Sequence, residues 1–323
     1  MPLLSFILLA PDTYVYITWG VLLVLSLALK LLWRHCRRWL RRTLLVLLLC
    51  CWHVFLWGTY VGFGRLEVVH IEYASADLPP AFDGYRIVHF SDAHVGTYSG
   101  RRQQILRRAV DSINAQHADL VVFTGDLQNR EPQEVLQNQA LLATIKGRDG
   151  VCSVLGNHDY PMYIQASEYT KRLNRSLIET YQREMGWRVL TNNHITISRD
   201  SAHIVIAGME NDGTGRFPQL GNVVNALHGI TPRDFVVMLE HDPTAWRRKI
   251  LPECHAQLTL SGHSHGGQFS LFGLTPAAFL YREHTGMYRS GQRALYVSRG
   301  LGGVVPFRFG ATPEITVITL RSK

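Results

Sequence analysis

The residues best suited to chemistry are Gly156, Asn157, His158 and Asp159, which directly follow the apolar run Val151–Leu155. This run has the length and branched side chains of a buried strand, and a glycine after it frees the backbone to turn sharply. An amide oxygen can ligate a metal ion, an imidazole can exchange a proton near neutral pH, and a carboxylate can orient that imidazole. The four residues alone fit an ordinary turn equally well, so the interpretation depends on the rest of the chain.

The same pattern, an apolar run that ends in polar side chains, occurs at four more places. The other runs are Tyr85–Phe90, Leu120–Thr124, Phe235–Leu239 and Ala256–Leu260. The polar residues that follow the five runs are Asp92 and His94, Asp126, Asn157 and His158, His241, and His263 and His265. Helical patterns at Arg101–Gln116 and Glu134–Ile145 separate the first three runs. This alternation predicts parallel strands whose polar ends share one edge of a sheet.

A mixture of imidazole and oxygen ligands suits Mn, Fe, Zn or Ni, and a carboxylate can bridge two such ions. Two ions about 3.5 to 4 Å apart can clamp the attacking and leaving oxygens of a phosphoryl group and lower the pKa of a water between them. The sequence therefore predicts a hydrolase with two divalent metal ions, Mn being the expected one. The remaining conspicuous histidines match no such pattern and are predicted to have core or surface roles: His89, His194, His203, His228 and His284.

The first 63 residues differ in composition from the rest of the chain. Tyr14–Trp33 contains Lys30 as its one charge and Thr43–Phe63 contains none, and each segment has about the 20 residues that a membrane-spanning helix needs. We therefore predict a transmembrane helical hairpin in residues 1–63 and a catalytic domain in residues 64–323. A buried helical hairpin is the alternative, but Leu44–Leu49 is apolar on all faces, unlike a helix on a soluble surface.

The loop between the two predicted spans is rich in arginine, which is typical of loops that stay in the cytoplasm. Its arginines are Arg34, Arg37, Arg38, Arg41 and Arg42. This predicts a multi-pass protein of the inner (cytoplasmic) membrane with its catalytic domain on the outer, periplasmic face. Arg41 and Arg42 before Thr43 also fit an internal twin-arginine export signal, which would likewise export the rest of the chain.

The net charge of the 323 residues is +8. The first 63 residues hold six basic residues against Asp12, so a charge of +3 remains for the rest. This small excess, without a basic groove interleaved with aromatic residues, does not indicate nucleic-acid binding. The five cysteines show no C-x-x-C spacing, so neither a zinc knuckle nor a disulfide framework is supported. Nothing in the sequence specifies an oligomeric state.

The motifs D-x-H, G-D, G-N-H-D, H and G-H-x-H occur in this order and resemble the calcineurin-like metallophosphoesterase superfamily. The apolar amino terminus and the sequence S-G-H-S-H-G-G-Q resemble its bacterial, membrane-attached branch, which includes UDP-diacylglucosamine pyrophosphohydrolases. The resemblance extends from about Tyr85 to the end of the chain. It implies an α/β fold in which two mixed β-sheets pack face to face with helices outside.

The resemblance also implies roles for individual residues. It places Asp92, His94 and His265 on one metal ion, Asn157, His241 and His263 on the other, and Asp126 between the two. His158 matches the family's non-ligand histidine, which stabilises or protonates the leaving group, and Asp159 matches the residue that orients it. Ala93 and Asp242 depart from the residues frequent in the family. Neither replaces a ligand, so these departures affect local packing and substrate contacts.

The predicted reaction is hydrolysis of a phosphodiester or pyrophosphate bond by a metal-bound hydroxide. Tethering to a membrane raises the effective concentration of the enzyme towards a lipid-linked substrate. The alternative is a catalytically silent, membrane-anchored metal-binding module for sensing or partner binding, but such a module needs no proton donor like His158. The apolar segment Pro276–Met287 could cover an acyl chain; packing under the sheet edge is the more common role of such residues and is the favoured interpretation.

Overall fold

The computed structural model describes residues 11–32 and 38–323. Trp33, at the end of the first predicted span, and Arg34 and Arg37 of the arginine-rich loop lie outside the described residues.

One helical stretch of the described residues, Arg38–Gly62, is long and apolar enough to cross a membrane. It consists of α2 (Arg38–Leu56) and a π-helical continuation, Trp57–Gly62. Its side chains are largely exposed; Val46, for example, is 57% exposed. Because a core helix would be covered by other elements, the buried-hairpin alternative does not describe this stretch.

The helix that precedes it, α1 (Pro11–Leu32), contacts α2 through Trp19 and Trp52, whose ring centroids lie 4.4 Å apart. The apolar part of α1 that the structure describes, Trp19–Ala28, is shorter than the length needed to cross a bilayer. One candidate span is therefore present among the described residues, and the predicted two-span hairpin is not confirmed.

The strands form two six-stranded sheets. The first sheet has the order β1 (Glu67–Ser75), β12 (Glu314–Ser322), β2 (Arg86–Phe90), β3 (Leu120–Thr124), β4 (Val151–Val154), β5 (Trp187–Val189). The second has the order β10 (Gly286–Ser290), β11 (Arg293–Val297), β9 (Leu258–Ser261), β8 (Val236–Leu239), β7 (Ala202–Gly208), β6 (Asn193–Arg199). Both sheets are mixed, since each contains antiparallel as well as parallel pairings.

Strands β2, β3, β4 and β5 are parallel, and so are β11, β9, β8 and β7. The predicted parallel arrangement of the first three apolar runs is therefore confirmed. These strands are continuous apolar runs because both of their faces are covered; β3, for example, is buried along its whole length. In each sheet the carboxyl ends of the parallel strands open to one edge, where the predicted site residues follow.

The two sheets pack face to face around a shared hydrophobic core. Its members from the first sheet include Ile87, Val122 and Val154, and those from the second include Ile206, Val237 and Leu260. Helices α3 (Gln103–Asn114), α4 (Pro132–Leu142) and α5 (Glu168–Glu184) contribute to the core outside the first sheet, and the shorter α6 (Val223–Ala226), α7 (Leu251–Glu253) and α8 (Ala277–Leu280) follow later in the chain. The predicted sandwich of two mixed sheets with flanking helices is confirmed.

Helix α3 shows how the sequence pattern determines this packing. Leu106, Ala109, Val110 and Ile113 are its buried residues, at the spacing of one helical face. They pack with residues of β2 and β3. The helix thereby covers these two strands, whose own backbone pairing sets their register and positions the loops that carry Asp92 and Asp126.

Candidate metal centre

The predicted ligand residues lie together where the parallel strands of both sheets end. Backbone hydrogen bonds connect the loops that carry them: the Asp92 N–H donates to the Gly125 carbonyl over 2.9 Å, and the His94 N–H donates to the Asp126 carbonyl over 3.0 Å. In the second sheet the Gly262 N–H donates to the His241 carbonyl over 3.0 Å. The side chains of the site are therefore positioned by main chain that is itself hydrogen-bonded.

Two groups of side chains could each hold a metal ion, and within each group the ligand atoms lie within 4.8 Å of one another. The first group is Asp92, His94, Asp126 and His265; the second is Asp126, His241 and His263. Asp126 belongs to both groups. Its Oδ2 lies 3.5 Å from His94 Nε2 and 3.3 Å from His241 Nε2, so one carboxylate faces an imidazole of each group.

Asn157 places its side-chain oxygen in the second group. Its Oδ1 lies 3.1 Å from His241 Nε2 and 2.7 Å from His263 Nδ1, and these two ring nitrogens are 3.2 Å apart. Three potential donor atoms from strand ends of both sheets thus converge on one point. The structure brings together all seven residues predicted as ligands.

The residues present fit divalent metal ions. Both ring nitrogens of His94 are buried and have no hydrogen-bond partner in the described part of the chain. The buried Oδ2 of Asp242 likewise has no hydrogen-bond partner among these residues. Buried polar atoms are rarely left unsatisfied, and a coordinated cation would satisfy the imidazole of His94. Imidazole, carboxylate and amide oxygen together are typical ligands of Mn, Fe, Zn and Ni.

The electrostatics at His94, His265 and Asp126 also favour cations. Burial lowers the pKa of His94 to about 3 and that of His265 well below its usual range, so both rings are neutral and keep a lone pair for a metal. Burial opposes ionisation of Asp126, but the neighbouring His241 and His158 hold its pKa well below the usual value. The shared residue is therefore a carboxylate.

Five of the predicted ligands have a left-handed backbone conformation, which non-glycine residues seldom adopt. Their φ angles are 51° for Asp92, 44° for His94, 62° for Asp126, 72° for His263 and 53° for His265. Ten non-glycine residues of the described chain have positive φ, so half of them are predicted ligands. Such strain persists where the surrounding structure imposes it, and it concentrates at functional sites.

Two glycines make room for the carboxylates. A Cβ on Gly262 would collide with Ser91 Oγ and Asp92 Oδ2, and one on Gly156 would collide with Asp126 Oδ1. We expected Gly156 to permit a sharp turn, but it is not among the glycines with positive φ. It is required for space, because the Asp126 side chain lies against its backbone.

His158 lies beside the first group with a fixed ring orientation. Its Nδ1 donates to the carbonyl of Asn129 over 2.6 Å, and its backbone N–H donates to Asp126 Oδ1 over 2.7 Å. The ring stacks on Tyr163, with centroids 4.1 Å apart, and contacts the edge of His94 at 4.7 Å. Because a carbonyl can only accept, Nδ1 carries a hydrogen and Nε2 is the nitrogen that can gain or lose a proton.

Asp159 makes contacts that differ from the predicted ones. Its carboxylate accepts four backbone N–H groups: those of Asp126 at 2.8 Å, Gly156 at 2.9 Å, Leu127 at 2.9 Å and Gln128 at 3.3 Å. The ring of His158 is oriented by the Asn129 carbonyl instead. Asp159 therefore holds together the loops after β3 and β4, one of which carries Asp126.

Several residues of the site carry no sequence motif, and their contacts with the predicted ligands were not predicted. Arg308 is almost fully buried, and its Nη1 donates to the His265 carbonyl over 2.8 Å. The Tyr163 hydroxyl accepts from Asn157 Nδ2 over 2.8 Å, and the Tyr281 hydroxyl lies 2.9 Å from His263 Nε2. Most of these partners are distant in sequence, so no local pattern could have indicated these contacts.

We call the side of the second group where the half-buried Phe217 and the exposed Arg216 lie the mouth of the site. Phe217 packs edge-on against the ring of His263, with centroids 4.9 Å apart, and the Arg216 guanidinium lies 5.5 Å from the centre of the Phe217 ring. Among the described residues no carboxylate pairs with Arg216. A positive charge without a paired carboxylate among the described residues thus lies beside the Phe217 ring that packs on His263.

The apolar segment Pro276–Met287 is not packed as expected. Phe279 is 90% exposed and Leu280 is 76% exposed, so packing under the sheet edge is the wrong interpretation for these two residues. For His89 the core interpretation is confirmed, since it is fully buried and its Nε2 lies 2.8 Å from Thr124 Oγ1.

Comparisons with known proteins agree with this geometry. Residues 85–267 match the family described as calcineurin-like phosphoesterase. The chain is 33% identical over 276 residues to the uncharacterized metallophosphoesterase YkuE of Bacillus subtilis, covering 82% of this chain and 89% of that one. It is 33% identical over 264 residues to a transmembrane protein with metallophosphoesterase domain of Danio rerio, covering 79% of this chain and 57% of that one.

A third relative has a named activity. The UDP-2,3-diacylglucosamine pyrophosphatase LpxG of Chlamydia muridarum is 24% identical over 318 residues, covering 82% of this chain and 92% of that one. The family match includes the strand ends where the carboxylate, amide and imidazole side chains converge. The chain belongs to the calcineurin-like phosphoesterase family of metal-dependent hydrolases.

Proposed function

We propose that this protein is a membrane-attached phosphoesterase with two divalent metal ions, which hydrolyses a phosphodiester or pyrophosphate bond of a lipid-linked substrate. The observation that carries the proposal is Asp126, whose carboxylate belongs to two adjacent groups of potential ligands. His158 contacts the same carboxylate through its backbone N–H. Ligands and a proton-transfer residue are thus parts of one hydrogen-bonded unit.

In this proposal Asp92, His94 and His265 would hold one ion, Asn157, His241 and His263 would hold the other, and Asp126 would be shared by both. Divalent ions in such a site lower the pKa of a water and neutralise charge on a phosphoryl group, with Mn as the expected metal. The ring of His241 is oriented for metal ligation through Nε2. Its Nδ1 donates to the Thr124 carbonyl over 2.7 Å, which leaves Nε2 facing Asp126.

The proposed role of His158 is to transfer a proton to the leaving-group oxygen. The Asn129 carbonyl fixes the Nδ1 hydrogen, so a protonated ring would donate from Nε2. Asp159 acts indirectly, by holding the loop of Asp126. Arg216 supplies a positive charge at the mouth, which would attract an anionic group of the substrate next to the scissile bond.

The lipid-linked substrate is supported by two observations. One relative is named for hydrolysis of UDP-2,3-diacylglucosamine, a pyrophosphate that carries acyl chains. The stretch Arg38–Gly62 would also hold the catalytic domain at a bilayer, where tethering favours substrates in the membrane over freely diffusing ones.

For the membrane topology we retain the two spans, residues 14–33 and 43–63, with the catalytic domain, residues 64–323, on the periplasmic face of the inner membrane. The contact between Trp19 and Trp52 supports a hairpin, since it places α1 against α2. A fusion of alkaline phosphatase after Lys323 should be active, and a cytoplasmic reporter at the same position should be inactive. The reverse result would place the catalytic domain in the cytoplasm.

The central experiment measures metal content and turnover together. We expect two ions per chain and Mn-dependent hydrolysis of bis(p-nitrophenyl) phosphate, both abolished by EDTA and restored by Mn. Asp126→Asn should lower both metal content and rate, whereas Asp111→Asn, at an exposed position of α3, should change neither. Two ions with near-normal turnover in Asp126→Asn would contradict the bridging role, and metal binding without any hydrolysis would favour a catalytically silent module.

The substrate class is tested separately. We expect kcat/KM to be higher for a lipid-linked diester in mixed micelles than for its short-chain soluble analogue. Equal values would remove the case for a membrane substrate and leave the hydrolase assignment intact.

A further inference from the structure

The segment after His265 exposes a group of large apolar side chains. Leu271, Phe272, Leu274, Phe279 and Leu280 are 45%, 95%, 76%, 90% and 76% exposed. We call these five residues the apolar ridge. No charged residue occurs in residues 266–281, so the ridge has no ionised group of its own to hydrate it. Five large apolar side chains exposed within ten residues of chain exceed the scattered exposure that is normal on a soluble surface, and they mark a surface that contacts a partner.

The ridge has a defined backbone structure. Leu271 and Leu274 exchange two backbone hydrogen bonds of 3.0 Å, which close a tight hairpin with Phe272 and Gly273 at its tip. Both tip residues have positive φ, 52° and 81°. Helix α8 follows and carries Phe279 and Leu280 at its end. The apolar side chains are therefore presented by a turn and a short helix.

The ridge is connected to the end of the candidate membrane-spanning stretch. The Gly58 carbonyl accepts from the Arg308 N–H over 3.0 Å, and a Cβ on Gly58 would collide with the Phe307 ring. Next to these residues, the Ser270 N–H donates to the Phe309 carbonyl over 2.6 Å. Residues 307–309 thus pack on the helix with one side and on the base of the ridge hairpin with the other.

The end of the same helical stretch is aromatic. Trp57 is 37% exposed and Tyr60 is 69% exposed, as expected for side chains at the boundary between lipid and water. The ridge and this aromatic helix end are joined by the short contacts of residues 307–309. They therefore belong to the same side of the catalytic domain.

The ridge also borders the candidate metal centre. Tyr281 directly follows Leu280, and its hydroxyl lies 2.9 Å from His263 Nε2. Gly266 and Gly267, immediately after His265, lead into the ridge hairpin, and the Gly266 carbonyl accepts from Thr275 Oγ1 over 2.7 Å. Any surface that covers the ridge would consequently lie close to the mouth of the site.

From these contacts we propose that the apolar ridge inserts into the lipid bilayer beside the helical stretch Arg38–Gly62, so that the metal centre opens at the level of the lipid headgroups. The inference rests on the membrane attachment in the proposed function, but not on catalysis. A lipid bilayer fits the ridge because the helix next to it is the part of the described chain that could cross one, and because apolar side chains without charge prefer hydrocarbon to water.

The test uses the full chain reconstituted into vesicles of phosphatidylcholine and phosphatidylglycerol. A cysteine labelled with the fluorophore NBD replaces one residue at a time, Phe272→Cys or Phe279→Cys, after Cys36, Cys50, Cys51 and Cys254 have been changed to serine; Cys152 is buried and is left unchanged. The control is Val224→Cys on α6, an apolar residue that is 74% exposed and lies outside the ridge.

We expect blue-shifted NBD emission at positions 272 and 279 and quenching by lipids that carry a doxyl group near the headgroup, with a water-like spectrum at position 224. Water-like, unquenched spectra at all three positions would overturn the inference. A blue shift that doxyl lipids do not quench and that depends on protein concentration would also overturn it, because the ridge would then contact another copy of the chain.

The outcome is separable from that of the proposed function. The same measurement on an Asp126→Asn background should give the same spectra, since Asp126 lies in the metal centre and not in the ridge. Failure of hydrolysis with quenched probes would contradict the catalytic proposal alone. Normal hydrolysis with water-like probes would contradict the ridge insertion alone.

Discussion

The Nδ1 of His158 donates to the backbone carbonyl of Asn129 over 2.6 Å, across 29 residues of sequence. This contact determines which ring nitrogen can exchange a proton. His94 and His241 each face Asp126 through a ring nitrogen, whereas His158 contacts the same carboxylate through its backbone N–H. The proposed proton-transfer role of His158 can therefore be tested separately from metal binding.

His158→Asn should keep the metal content and lower kcat by about 10² to 10⁴, the usual contribution of a positioned proton donor. The measurement combines elemental analysis with turnover of an aryl phosphodiester. His203→Asn is a matched control, because His203 contacts Asp234 on the surface. Loss of metal from His158→Asn would show that His158 is a ligand.

Asp159→Asn should destabilise the domain as well as slow the reaction. An amide in place of the carboxylate directs an NH₂ group at two of the backbone N–H donors that Asp159 now satisfies. Each buried N–H left without an acceptor costs about 1–3 kcal/mol. Thermal unfolding should show a lower Tm, whereas Asp200→Asn, in the exposed turn between β6 and β7, should leave it unchanged. An unchanged Tm in Asp159→Asn would show that Asp159 does not hold the loops after β3 and β4 together.

Gly262→Ala should prevent Asp92 from reaching its position, because the new methyl group would occupy the space of the Asp92 carboxylate and the Ser91 hydroxyl. Overpacking of this kind costs about 1–3 kcal/mol. We expect reduced metal content and a lower Tm. Gly20→Ala is the control, since a Cβ there meets open space. Full metal content in Gly262→Ala would show that the loop of Gly262 can move away from Asp92, and it would contradict the requirement for glycine at this position.

Arg216→Ala should raise KM about 10- to 100-fold with a smaller effect on kcat, because a hydrogen bond to a charged group contributes about 1.5–3 kcal/mol. Steady-state kinetics with a diester substrate measures both constants. Arg233→Ala removes another exposed arginine, from the turn before β8, and should have no effect. Equal KM and kcat values for the two variants would show that Arg216 does not take part in substrate binding.

The sequence predicted the strands that are buried on both faces. The runs at β2, β3, β4 and β8 were located to within one residue at each end, because a short, continuous apolar segment between polar turns is typical of a fully buried strand. The sequence did not indicate β1, where Glu67, His70 and Glu72 interrupt the apolar pattern. That strand depends on its parallel pairing with β12, a partner near the other end of the chain.

For the site, the ligand types and their order could be read from the sequence because each follows a recognisable strand. The supporting residues could not. Arg308 and the His265 carbonyl are 43 residues apart, and the role of Arg308 arises only when the two loops meet. The exposure of Phe279 was likewise unpredictable, since an apolar residue in a loop has the same local pattern whether it is covered or not.

The distribution of the ligands over both sheets has a consequence for the order of folding. Asn157 meets His241 across 84 residues, and the Asp92 carboxylate accepts the backbone N–H of His263 across 171 residues. Closing loops of this length is slow, and it follows the formation of local helices and hairpins. Binding of metal ions at this site would therefore be a late step of folding, after both sheets have come together.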